Sequence, residues 1–122
     1  MPFERFTEIR KRIDTPKAAI WSRGQIAFNQ SAVEEYNINN YKYVVLFYDI
    51  DTTRVGFVFT NDEKSKGAMK LVIRKAAGAS FSARAFLKNY KIDFKETQRY
   101  DLTYDEQSKL HVIDLKQKGR SD

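Results

Sequence analysis

Residues 24–38 read GQIAFNQSAVEEYNI, and residues 78–92 read GASFSARAFLKNYKI. Gly24, Tyr36 and Ile38 recur as Gly78, Tyr90 and Ile92, each 54 positions further on. A second likeness follows at a spacing of 56: Tyr48-Asp49 leads through a polar turn to Val55, and Tyr104-Asp105 leads through another to Leu110. Such a period is weighed before single residues, because it constrains the whole architecture. It predicts two similar units within one domain spanning 1–122. Copy one covers 18–60 and copy two covers 68–115, with the polar stretch NDEKSKG (61–67) between them.

Local patterns fill in each unit. Ile26 and Phe28 alternate with Gln25 and Ala27, as a half-buried strand requires. Asn29 and Ser31 both offer an oxygen to cap a short helix, and Ser31 with Glu34 fits a capping box. Tyr43–Ile50 is the strongest strand in the chain, and Val55–Thr60 sets Val55, Phe57 and Phe59 on one face of its partner. Gly56 there marks a bulge or a close backbone approach. Copy two repeats the order: a strand over Met69–Arg74, a turn at 76–78, a strand over Ala79–Phe81, a helix from Ser82 to about Lys91, and a hairpin from Gln98 to Leu115. The expected fold is mainly β (α+β): two β-α-β-β-like repeats forming a pseudo-symmetric small barrel.

Outside the repeat, Phe3, Phe6, Ile9 and Ile13 fall at helical intervals among charged residues, which predicts an amphipathic N-terminal helix over 3–14 closed by Pro16. It is placed to cap the core or to pair two chains as a homodimer. Residues 116–122 are charged and read as a frayed tail.

Of 122 residues, 42% are apolar and none is cysteine. The first figure suffices for a core, and the second excludes disulfides, thiolate zinc sites and cysteine nucleophiles. The one histidine, His111, reads as a partly exposed sheet residue. No stretch is apolar enough to span a bilayer and no secretory leader is evident, so a cytoplasmic protein without membrane attachment is expected. Paired acids at Glu34-Glu35, Asp49/Asp51 and Asp105-Glu106 fall on a helix or in turns that favour them, and Asp49, Asp51 and Asp62 lack the spacing of a calcium loop. Phosphate-binding glycine motifs are missing too. The reading is therefore not an enzyme, with no cofactor and no metal.

Charge is the informative property. The net charge is +6, yet residues 64–91 hold eight Lys and Arg and no acid, while residues 34–63 are net −4. A segregated block of this kind attracts polyanions. The candidate nucleic-acid contacts are Arg23, Lys70, Arg74, Lys75, Arg84 and Lys88. Trp21, Tyr41, Tyr43, Phe81, Tyr90 and Tyr100 are rings able to stack on bases if they are not packed in the core.

The stretch from Ser22 to Phe59, with its glycine turn, alternating strand, short helix and hairpin, resembles the AbrB/MazE/SpoVT type of DNA-binding domain. Gly24, Gln25, Ile26, Phe28, Val33, Tyr36, Ile38, Val45, Val55 and Phe57 carry the likeness, and Gly78 to Leu115 follows it more loosely. Asn29 and Ala83 stand where that family usually has proline. The resemblance implies two units exchanging hairpins, here within one chain, with Arg23, Arg74 and Lys75 near the DNA. It makes a duplex-DNA-binding transcriptional regulator the first expectation. A non-catalytic protein-interaction module with a basic face, and a single-strand binder of the Whirly type, are the alternatives.

Overall fold

The computed structural model describes residues 15–75 and 77–116. The expected helix over 3–14 and the tail beyond Lys116 lie outside the described residues. The first half forms β1 (Lys17–Ile20), β2 (Gln25–Phe28), α1 (Gln30–Tyr36), a 3-10 turn (Ile38–Asn40), β3 (Tyr43–Asp49) and β4 (Arg54–Thr60). The second forms β5 (Met69–Lys70), β6 (Val72–Arg74), β7 (Gly78–Ser82), α2 (Arg84–Asn89), β8 (Gln98–Asp101), β9 (Thr103–Asp105) and β10 (Leu110–Asp114).

These strands build two antiparallel five-stranded sheets, in the orders β6-β7-β2-β1-β8 and β5-β3-β4-β10-β9. The first is sheet A and the second sheet B. The mainly β character is as expected, but the closed barrel is not found. Each long strand expected in copy two is broken at a buried leucine. Leu71 turns inward between β5 and β6, and Leu102 does the same between β8 and β9. Their amides bond to Lys42 O and Pro16 O. The ladder stops there, so β5 and β9 serve sheet B while β6 and β8 serve sheet A.

The halves of the chain interlock. In sheet A, β2 pairs with β7 (Gln25↔Ser82, Ile26↔Phe81, Ala27↔Ser80, Phe28↔Ala79). In sheet B, β4 pairs with β10 (Val55↔Ile113, Gly56↔Val112, Phe57↔His111). The core lies between the sheets, where inward residues at every second strand position meet. Phe28 is its hub, with its ring 5.2 Å from Phe57, 5.3 Å from Phe59 and 5.9 Å from Phe81. Burying a ring of this size contributes about 2–3 kcal/mol.

Both helices are short and close the ends of this sandwich with Ala32, Val33 and Leu87. Asn29, not Ser31, caps α1: its Oδ1 accepts from Ala32 N at 2.9 Å and also from Lys17 N at 3.0 Å. One side chain thus ties the helix start to β1, an advantage that Ser31 with its shorter reach lacks. The helix expected over 82–91 is cut to Arg84–Asn89. Ala83 supplies no side-chain cap, and Lys91, at φ 56, ends the helix with Lys91 N–Lys88 O and Ile92 N–Leu87 O bonds. That is a Schellman closure with lysine where glycine is favoured. Gly56 marks no bulge, since the β3–β4 register runs unbroken through Phe47↔Gly56.

Candidate nucleic-acid interface

Directly paired residues of antiparallel strands share a face. The outward face of sheet A can therefore be read from its register. One row runs Val72, Ser80, Ala27, Ala19, Arg99 across all five strands. Rows beside it carry Arg74 with Gly78, Gln25 with Ser82, and Lys17 with Asp101. The middle of this face is thus a floor of small residues, and long basic side chains stand at its edges.

Arg23 lies exposed in the β1–β2 turn, at one end of the floor. That turn is made by Gly24 at φ 89 and by bonds from Trp21 N to Gln25 O and from Gly24 N to Trp21 O, each 2.8 Å. Arg84 packs against the same turn: a Cβ on Gly24 would lie 2.9 Å from Arg84 Cβ. Lys88 follows one turn later on α2, exposed on the same side of the helix. So Arg23 and Arg84, 61 residues apart, share one end of sheet A, with Lys88 beside them.

Arg74 and Lys75, both exposed, occupy the opposite end at the β6–β7 turn. Gly78, at φ 88, sits there on the Phe28–Asn29 backbone, and its amide donates to Gln30 Oε1 at 3.0 Å. Lys70 does not join either cluster. It pairs with Tyr43 on sheet B and projects from that sheet's outer face, because the strand break at Leu71 separates it from Arg74. Five of the six expected contacts therefore frame sheet A, and the sixth does not.

The pattern of single residues missed Lys17, Arg99 and the floor of Ala19, Ala27 and Ser80. Alternation in KAAI and QIAF already marks the small residues as outward. Arg99 reaches the face only through the pairing of β8 with β1, about 80 residues apart, which no local signal reports.

The rings divide differently from expectation. Phe81 and Tyr100 are buried in the core, at 2% and 6% exposure, and cannot stack on bases. Tyr41 packs on Phe59, and Tyr90 on Tyr48 and Phe86. Trp21 is half-buried in the β1–β2 turn and Tyr43 half-buried on sheet B.

The acids stay local. Asp49 accepts from Asp51 N and Thr52 N, and the Thr52 hydroxyl and amide hold its carboxyl below the ordinary value. Asp105 accepts from Gln107 N and Ser108 Oγ. Among the described residues no group of three or more His, Cys, Asp or Glu is placed to hold a metal ion, and no helix is long and apolar enough to cross a membrane. An open depression of about 600 Å³ lies between Tyr48, Tyr100, Lys91, Lys95, Asp93 and Glu96. His111 is wedged between Tyr36 (4.5 Å), Tyr104 (4.9 Å) and Phe59 (5.2 Å), with Nδ1 buried and unpaired, and burial lowers its pKa.

No family model, curated protein or solved structure matches this chain.

Proposed function

We propose that this chain is a nucleic-acid-binding protein, of the AbrB-like swapped-hairpin type with both units in one chain, that grips duplex DNA with the outer face of sheet A. The observation that carries the reading is the floor of Ala19, Ala27 and Ser80 with Arg23, Arg84 and Lys88 at one end and Arg74 and Lys75 at the other. A floor without large side chains lets a phosphate backbone approach closely. Cations at both ends meet phosphates on either side of a groove. Sheet faces and β-ribbons are established readers of DNA grooves.

Three features support the duplicated architecture. Shifting 25 and 28 by 54 gives 79 and 82, and the pairs Gln25↔Ser82 and Phe28↔Ala79 then exchange with each other. In sheet B a shift of 56 maps Gly56 onto its own partner Val112 and exchanges Val55↔Ile113 with Phe57↔His111. Backbone conformation follows the same shifts: Gly24 and Gly78, Asn37 and Lys91, and Thr53 and Lys109 all have positive φ. Pairing of β2 with β7 and of β4 with β10 supports the reading of a hairpin exchange, which the AbrB-like resemblance implies.

Duplex is favoured over single strand because two of the rings meant for stacking are core residues. The test is binding of labelled duplex and single-stranded oligonucleotides over a salt series. Duplex affinity falling steeply with salt is expected. Absence of binding to either at low salt defeats the proposal and leaves an acidic protein as the partner of this face. Preference for single strands moves the reading to the Whirly-like alternative. Regulation of transcription is the role we assign to such binding.

A further inference from the structure

The outer face of sheet B is apolar in the middle and charged at its two ends. Its rows follow from the register. Tyr43 stands with Lys70 and Thr60 at one end, then comes Val45 with Val58, then Phe47 with Gly56 and Val112. Asp49, Arg54 and Asp114 close the other end, with Arg54 and Asp114 4.0 Å apart. Leu110 leans over Gly56, its Cδ1 2.7 Å from where a Cβ would be. Val45, Val58, Leu110 and Val112 are half-buried, and Phe47 is 47% exposed. An apolar patch rimmed by polar residues in this way marks a contact surface.

We propose that the same face of a second copy covers it, the two sheets packing back to back about a twofold axis that runs across their strands. Charge complementarity selects both the occupant and the axis. One end of the face carries Lys70, and the other carries two carboxylates to one arginine. A twofold across the strands reverses the order of the rows and keeps the order of the strands. It therefore sets the Lys70 end of each copy on the Asp49 end of the other, and the attraction is made twice. Lys70 on β5 and Asp49 on β3 belong to neighbouring strands, so the two charges fall close together. A twofold along the strands would instead set Asp49 of β3 over Asp114 of β10, like charge on like. The same operation lays Phe47 and Val112 of each copy on Val45 and Val58 of the other, closing an apolar centre between the charged ends. Aligned packing of this kind is how sheet faces ordinarily meet. The dimer is then a stack of four sheets, with a sheet A on each outer side. Taken with the proposed role of sheet A, on which this consequence rests, one dimer holds two duplex segments.

Molar mass of the full chain, measured by sedimentation over a concentration series, tests the interface without nucleic acid. Wild-type chain should be a dimer that dissociates on dilution. Phe47→Glu should be monomeric with an unchanged far-UV spectrum, because its ring is exposed. Lys70→Glu should weaken association by roughly tenfold. Adding Asp49→Asn, which keeps an oxygen for the turn amides, should recover much of that loss. A wild-type monomer at every concentration overturns the proposal, as does a dimer that survives Phe47→Glu. Association lost in Phe47→Glu but indifferent to Lys70→Glu overturns the axis. Bridging is read separately: wild type should retain a free duplex on an immobilised one, and Phe47→Glu should bind duplex without retaining a second. A dimer that binds duplex and bridges none overturns the back-to-back arrangement. The masses stand whether or not duplex binds, so failure of the dimer and failure of the sheet A reading are told apart.

Discussion

Gly78 rests on the main-chain carbonyl of Phe28, and a Cβ at position 78 would run into that oxygen. Gly24 stands in the corresponding place at the other end of sheet A, where a Cβ would meet the base of Arg84 less closely, at 2.9 Å from its Cβ and 3.2 Å from its Cα. The two sites therefore differ in how much they can yield. Gly78→Ala combines a positive φ with a collision against fixed backbone and should cost about 3 kcal/mol or more. Gly24→Ala, also at positive φ, meets the base of Arg84, which moves only if α2 moves, and should cost about 2 kcal/mol. Gly67→Ala, at φ 81 with open space around it, isolates the strain and should cost about 1 kcal/mol. Urea midpoints at constant m-value measure all three, and an equal loss at Gly67 and Gly78 would refute the account.

Thr53, Lys91 and Lys109 occupy conformations suited to glycine. Thr53 is β-branched at φ 52, and Lys91 closes α2 at φ 56. Thr53→Gly and Lys91→Gly should each stabilise the fold by about 0.5–1 kcal/mol, with relief of strain outweighing the extra freedom of the unfolded chain. Thermal or urea unfolding measures the gain, and a loss at both sites would contradict the assigned backbone.

Phosphate contacts are additive in the logarithm of salt. Arg23→Ala, Arg74→Ala and Lys75→Ala should each weaken duplex binding and lower the salt slope by about one. Lys70→Ala should leave both unchanged, because Lys70 lies on the other sheet. Ala27→Glu should abolish binding by placing a carboxylate in the middle of the floor. Equal effects of Lys70→Ala and Arg74→Ala would mean that overall charge, not this face, attracts the nucleic acid.

His111 links stability to pH. Its ordinary pKa is 6.5, and burial beside Tyr36, Tyr104 and Phe59 lowers it in the folded chain. Between the two values the unfolded chain binds more protons, so stability is intact above about pH 6.5 and declines as pH falls toward the folded value. Urea unfolding at pH 7.5 and 5.5 should show this decline, and His111→Phe should remove most of it. Asp49 adds little in that window, being exposed and titrating at lower pH.

What was legible in the sequence was whatever repeats locally. Alternation located β2, β3 and β4, and the pairing of Gly24 with Gly78 placed the turns. Helix α2 was overextended because an amphipathic pattern continues through Lys91, whereas the backbone reverses there on a residue that carries no helix-ending signal. The broken strands escaped for a related reason. Leu71 and Leu102 fit an apolar strand as well as they fit a corner, and only the partner strands decide between the two. For the candidate site, the turn residues Arg23, Arg74 and Lys75 were visible as charge beside glycine. The grouping of Arg84 with Arg23, the exclusion of Lys70 and the arrival of Arg99 all depend on pairings across more than 20 residues.

Since β2 pairs with β7 and β4 with β10, neither half of the chain completes a sheet by itself. Severing the polypeptide at the exposed connector around Gly67 would leave two fragments, each with strand edges that the other fills in the intact chain. Such fragments should recognise one another when co-expressed, so the molecule is by construction a complementation pair joined by a tether.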